Sequence, residues 1–369
     1  MAVFEKAVVI GLIFSAGIAD AQLPRPLARS QPGINPGPTL TYQAASRIVV
    51  AGSSPNNALY QTPKGSGYDG VGSIFIQRTD GNFLCSGALI AGGAYMLTAA
   101  HCLADATGKL ITQQTTSVFF TPGGPSTARE FITSTQFFVS PLYTGEVIDA
   151  HDIAVIKLGS TPSPLVTAAA YSLFNGNPFG RNAELVGSGA AGTGATGSTI
   201  PGGFTLADRR RGNNTVDFTW TDSRFGGFFL PQNGNFFGKA DPYGLVGDFD
   251  SGLARNDASC AIGSALGVSA FCSLGLGLNE VILGPGDSGG PLFINGQIAG
   301  VASYGLSFGS GFGDSDNALN DTFGEFSGWA STGYNDPFLN QFVAPEPSSI
   351  ALIAIGLFAI TAVTRRRAA

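Results

Sequence analysis

Only two histidines occur in the 369 residues of this chain, and both sit where they could contribute to nucleophilic chemistry. His101 stands in "LTAAHC", Leu97 to Cys102, while His151 opens "HDIAVIKL", with Asp152 beside it and an apolar run behind. Ser288 stands in "GPGDSGGP", Gly284 to Pro291, among glycines that let the backbone bend sharply and a carbonyl approach closely. A serine hydroxyl is a poor nucleophile near neutral pH. It needs a base to take its proton, and that base needs a buried carboxylate to hold its tautomer and stabilise the imidazolium. The chain supplies these parts in the order His101, Asp152, Ser288.

Chain order separates the folds that carry such a triad. "GDSGG" also fits the nucleophile elbow of α/β-hydrolases, but that arrangement needs a histidine after the serine, and none follows Ser288. An Asp-His-Ser order would have to use Asp69 or Asp80, and neither lies in a supporting motif. The order His-Asp-Ser remains.

The elements that must position these residues read as strands. From Ile48 onward, short runs such as "GSIFIQR", "FLCSGALI", "SVFFT", "IAVIKLG" and "AELVGSG" are separated by turn clusters. No convincing amphipathic helix interrupts them before the C-terminal tail. With 53 glycines and 28 phenylalanines, this predicts an all-β barrel or sandwich. "GSGAAG", Gly187 to Gly192, fits a dinucleotide fingerprint, but the following "TGATGSTIPGG" cannot start the helix that would hold a pyrophosphate. A net charge of −6 argues against nucleic acid as a partner. Arg209, Arg210 and Arg211 read as a solvated loop.

Together, "LTAAHC", "HDIAVIKL" and "GDSGGP" resemble the three signature segments of the trypsin/chymotrypsin serine protease family. The resemblance runs from Ile48 to Val343 and implies two six-stranded antiparallel β-barrels with a catalytic triad of His101, Asp152 and Ser288. It further implies an oxyanion hole from the N–H groups of Gly286 and Ser288, and a substrate-binding strand with Ser303, Tyr304 and Gly305. Disulfides Cys85–Cys102 and Cys260–Cys272 follow from the same likeness, as does a primary pocket position at Ile282, or Leu283 if the count slips by one. "SRIVVAG" resembles the family's activation site, where cleavage after Arg47 would free Ile48 to pair with Asp287. His151 reads as a partly exposed neighbour of Asp152. No cofactor is implied. The implied activity is a secreted endopeptidase acting on protein or peptide substrates, with small or apolar residues preferred before the scissile bond. A catalytically silent barrel serving as an extracellular binding module is the competing reading, and the intact triad argues against it.

The chain departs from the family in an apparent insertion over 203–258. There Asp248 and Asp250 could hold calcium, but alternating carboxylates in a turn are more often solvated, so no metal is expected. The ends read as targeting segments. Residues 1–21 fit a secretory signal peptide, which makes disulfides permissible for the four cysteines. Residues 22–47 contain five prolines and read as a linker or pro-segment. Residues 344–369 resemble a PEP-CTERM sorting signal: Pro345-Glu346-Pro347, an uncharged stretch, then Arg365, Arg366 and Arg367. That likeness implies recognition by an exosortase, a short transmembrane helix, and a destination in the bacterial cell envelope or matrix, either anchored or released after processing.

Overall fold

The computed structural model describes residues 48–343 except 80, 121–129, 135, 167, 200–208 and 231–239. The stretch read as a signal peptide, the proline-rich segment with Arg47, and residues 344–369, where a short transmembrane helix was expected, all lie outside the described residues. Among the described residues, no helix is long and apolar enough to cross a membrane.

Two antiparallel sheets dominate. The first runs, in spatial order, Glu130–Ser134, Gln114–Phe120, Val71–Arg78, Gly81–Ile90, Tyr95–Thr98, Ala154–Lys157 and Gln136–Val139. The second runs Arg210–Thr215, Asn182–Gly187, Pro291–Ile294, Gln297–Leu306, Phe326–Ser331, Leu245–Asp248 and Phe218–Thr219. Each therefore has seven strands rather than the six expected. The reason lies in the outer strands, which in each sheet are consecutive stretches of chain, 130–134 with 136–139 and 210–215 with 218–219. Neighbouring stretches of chain thus supply both edges, so each sheet curls back towards its own start.

The strands follow their side-chain pattern. Gln114–Phe120 alternates buried and half-buried residues, as a strand with one solvated face must. Val71–Arg78 and Gly81–Ile90 bury nearly continuous runs, because both faces of these central strands are covered. Ile74, Leu89, Met96, Val118 and Ile156 fill the first core, which reaches across to Val186, Phe293 and Val301 of the second sheet. The second half has its own aliphatic core around Leu185, Leu292 and Trp329, and an aromatic one around Phe218, Trp220, Phe225 and Phe326. The aromatic pairs there meet mostly tilted or edge to face, as their quadrupoles favour.

Three expectations are corrected. The apparent insertion over 203–258 includes regular elements of the fold, because Arg210–Thr215 and Leu245–Asp248 are integral strands of the second sheet. Among the described residues two α-helices occur, Ala258–Ala265 and Asp336–Leu339; the first is too short and Gly-containing to show a period, and is started by the Asp257 carboxylate accepting the Cys260 N–H at 2.8 Å. Finally, the arginine triplet is not a solvated loop. Arg209 and Arg210 are 3% and 2% exposed, and Arg209 pairs with buried Asp69 at 2.8 Å while donating to the Val71 carbonyl. The "GSGAAG" segment spans a strand end, a connection and the start of a short strand, with no helix behind it.

Both cysteine pairs are bridged as the resemblance implies, Cys85–Cys102 and Cys260–Cys272. The first closes a separation of 17 residues, which stabilises by about 3 kcal/mol on loop-entropy grounds. The buried Arg209–Asp69 pair gives a test of packing. Asp69→Asn strands a buried guanidinium and is expected to lower the unfolding free energy by roughly 3–5 kcal/mol in urea titration. Replacing both, Asp69→Leu with Arg209→Met, should recover most of that loss. An unchanged urea midpoint in Asp69→Asn would contradict the assignment.

Candidate active site

Strand register brings the first two candidate residues together. Thr98 lies opposite Ala154 in the ladder between Tyr95–Thr98 and Ala154–Lys157. His101 follows Thr98 by three residues, on a short 3-10 turn at Ala100–Cys102, and Asp152 precedes Ala154 by two. His101 Nδ1 lies 2.6 Å from Asp152 Oδ2, and the His101 backbone N–H donates to Asp152 Oδ1 at 2.8 Å. One carboxylate thus fixes both the ring and the backbone of the histidine. The loop before Asp152 is itself held by buried Asp149. Its carboxylate accepts the His151 N–H and the Thr144 N–H, and its carbonyl accepts the Asp152 N–H.

Ser303 completes the surroundings of Asp152. It falls at a register shift between Ala302 and Tyr304, a bulge that turns its side chain off the ladder. Its Oγ donates to Asp152 Oδ2 at 2.6 Å. Asp152 is 1% exposed, so these three donors replace the water that its charge has lost.

Ser288 is placed by a residue that sequence reasoning missed. Ser86, fully buried, donates its N–H to the Ser288 carbonyl at 2.7 Å and its Oγ–H to the Gly286 carbonyl at 3.0 Å. Thr98 Oγ1 donates to the Ser86 carbonyl at 2.9 Å. Ser86 is thus tied to the strand that leads to His101. Cys102 Sγ lies 3.8 Å from the Ser288 carbonyl oxygen, which sets the serine turn against the Cys85–Cys102 bridge. The only sequence signal for Ser86 was its place after Cys85 in "FLCSGALI". The glycine after the serine is required by space. Gly289 has φ +83°, and a Cβ there would lie 2.1 Å from Thr98 Oγ1 and 2.3 Å from the Ser86 carbonyl.

Gly286 adopts φ +95°, which favours glycine, and among the described residues neither the Gly286 nor the Ser288 N–H donates to another group of the chain. Likewise no hydrogen bond joins His101 Nε2 to Ser288 Oγ among the described residues. Asp287 is buried, and its carboxylate accepts the Gly189 N–H at 2.7 Å and the Gly284 N–H at 3.0 Å. Burial pushes its carboxyl well above the usual range, and the two N–H groups oppose that shift. Ile48 is buried at the start of Val49–Val50, which pairs with Gly192–Thr193 on one side and Val281–Ile282 on the other. No ion pair to Asp287 is formed, since the Ile48 nitrogen is a peptide nitrogen in the full chain.

Ile282 is fully buried and packs with Val49, Phe249 and Phe323. Leu283 belongs instead to the aliphatic core with Ile48 and Val50. Tyr304 is buried, accepts the Trp220 indole N–H at 2.9 Å, and lies flat against Gly328. At Gly305 a Cβ would meet only ordinary van der Waals contacts, the nearest being Asp321 Oδ1 at 3.8 Å. His151 is half-buried and stacks on Tyr334, with Nδ1 3.1 Å from Asn335 Oδ1; its ring contacts lie away from the Asp152 carboxylate. The cysteines near His101 are joined in a disulfide and offer no thiolate for a metal.

Residues 64–206 match the trypsin family model, a span that includes His101 and Asp152 and ends before Ser288. Residues 343–367 match the PEP-CTERM protein-sorting motif. A search of curated proteins gives no match. Among solved structures, HL collagenase is similar at 17% identity and TM-score 0.46, over 76% of this chain and 96% of that one. Neuropsin, a serine protease expressed in the limbic system of mouse brain, is similar at 18% identity and TM-score 0.46, over 76% and 97%. The chain is thus one that carries a trypsin domain match at 64–206 and a PEP-CTERM sorting motif at 343–367.

Proposed function

We propose that this protein is an exported serine endopeptidase that cleaves peptide bonds through an acyl-enzyme. The observation that carries the reading is the buried Asp152 carboxylate holding His101 through both its ring and its backbone. With Nδ1–H given to Asp152, the neutral ring keeps its lone pair on Nε2, the atom that takes the Ser288 proton. The serine oxygen then attacks the substrate carbonyl, and the protonated ring later gives its proton to the leaving amine. The N–H groups of Gly286 and Ser288 stabilise the oxyanion, each donor contributing about 2.7–4 kcal/mol where measured in such sites. Catalytic hydrogen bonds are commonly long until substrate engages, so the unmade His101–Ser288 bond is compatible with this role.

Ile282 supplies an apolar group where a carboxylate would favour Lys or Arg, and this supports a preference for small or apolar residues before the scissile bond. Cleavage after Arg47 would turn the Ile48 nitrogen into an ammonium. Buried Asp287, held by the Gly189 and Gly284 N–H groups, is the group that would gain from it. The PEP-CTERM motif indicates export and processing at the cell envelope. We assign its recognition to an exosortase, with the apolar stretch 348–364 holding the chain in the membrane at least transiently.

Three outcomes test these assignments. In steady-state assays on a peptide substrate, Ser288→Ala and His101→Ala are each expected to lower kcat by roughly a million-fold, as for other triads. His151→Ala should stay within tenfold of wild type, and ordinary activity in Ser288→Ala would end the proposal. A peptide library should show small or apolar residues before the cut, and selection of Arg or Lys there would refute the role of Ile282. Intact-mass analysis of active material should show an N-terminus at Ile48, lost together with activity in Arg47→Gln. Active protein that begins at Gln22 would rule out the activation step.

A further inference from the structure

The second half of the molecule buries acidic side chains far in excess of what its visible partners balance. Asp248, Asp250, Asp257 and Glu280 are 4%, 2%, 4% and 2% exposed. One carboxylate oxygen from each of Asp248, Asp250 and Asp257 lies within 4.8 Å of the others. The Arg–carboxylate ion pairs among the described residues go to Asp69, Glu184 and Asp222, outside this group. Most of the carboxylates are satisfied by backbone. Asp257 accepts the Cys260 and Ser273 N–H groups, Asp248 accepts the Ser259 N–H, and Glu280 accepts the Asp250 and Leu276 N–H groups. Asp250 is different. Its Oδ1 is buried and has no hydrogen-bond partner, although its carboxylate points into the group formed with Asp248 and Asp257.

A buried carboxylate oxygen without a donor costs several kcal/mol, and three buried carboxylates so close together repel. Burial and the neighbouring Asp248 and Glu280 charges push the Asp250 carboxyl up to about 10. The surroundings are also tightly built. Gly275 holds φ +74°, and a Cβ there would lie 1.9 Å from Glu280 Oε2 and 2.5 Å from Asp250 Cβ. The sequence reading of Asp248 and Asp250 as solvated is therefore overturned by their burial. Ligands that are all oxygen suit a hard cation, and Cys260 and Cys272 are sealed in a disulfide. Two oxygens bound to one calcium at ~2.3–2.6 Å can be up to about 5 Å apart, whereas magnesium at ~2.0–2.1 Å demands a tighter cluster.

We propose that Asp248, Asp250 and Asp257 bind one calcium ion. The ion would join the end of strand Leu245–Asp248 to the N-terminus of helix Ala258–Ala265. It would stiffen the region beneath Glu280 and Val281–Ile282, the strand that pairs with Val49–Val50. The site is independent of the triad and is tested without reference to activity. Thermal unfolding of the full chain is compared in chelator and in millimolar calcium or magnesium chloride, alongside calorimetric titration with calcium. Calcium should raise Tm by at least about 5 °C, magnesium by less, and titration should give one ion per chain. Asp250→Asn removes one buried charge at constant shape, so it should abolish the calcium shift while raising Tm in chelator. Asp248→Asn serves as the second variant if the first does not fold. Asp316→Asn, in the separate group Asp314, Asp316 and Glu325, should leave the shift intact. No calcium shift in wild type would overturn the proposal and leave shared protons as the neutralising agent. A shift that survives in Asp250→Asn, or disappears in Asp316→Asn, would overturn it equally.

Discussion

A negative charge held out of water at Asp152 organises the site. Its carboxylate receives three donors, the His101 N–H, the His101 ring at Nδ1 and the Ser303 hydroxyl, with the ring and hydroxyl contacts both at 2.6 Å. An uncompensated charge at that depth would cost more than the domain's margin of stability, so the donors are obligatory. They come from different places. His101 and Asp152 lie just beyond the ends of adjacent, in-register strands of the first sheet, while Ser303 comes from a bulge in the second. Satisfying one carboxylate therefore fixes how the two sheets meet.

The serine turn is held by a second set of contacts with the same logic. Ser86, from the first sheet, binds the carbonyls of Gly286 and Ser288, and its Oγ accepts the Ser188 N–H of the second half. Gly289 and Gly290 have no room for a side chain against the first sheet and the strand before Ser188. The glycines thus serve close packing as much as bending. With its carbonyl engaged on one side, the turn leaves the N–H groups of Gly286 and Ser288 uncommitted. That is the arrangement an oxyanion needs, because donors oriented in advance cost no reorganisation.

Much of this was legible because the chemistry concentrates in short segments. With two histidines and one "GDSGG" serine, the chain order left few arrangements, and the alternating or continuous apolar runs marked the strands. The seven-strand count was not legible, since the neighbouring stretches that supply both edges look like one run. Arg209 and Arg210 were misread because charge predicts exposure unless a partner is known, and Asp69 lies 140 residues away in sequence. Ser86 carried no signal beyond its place after Cys85, as its role depends on residues 200 or more positions later. The buried acids at Asp248, Asp250 and Asp257 failed for a similar reason: Asp257 joins the group only because the helix it caps turns back onto Asp248.

If Asp152 is the constraint on which the site depends, its charge must show in the reactivity of the serine. The direct measurement is the rate at which a fluorophosphonate labels Ser288, followed by intact mass, in wild type and in Asp152→Asn. The account predicts one label per chain, mapped to Ser288, with labelling in Asp152→Asn slower by roughly ten-thousand-fold because the histidine loses its tautomer. Equal labelling rates in the two proteins, or no label on Ser288 in the processed wild-type protein, would contradict it.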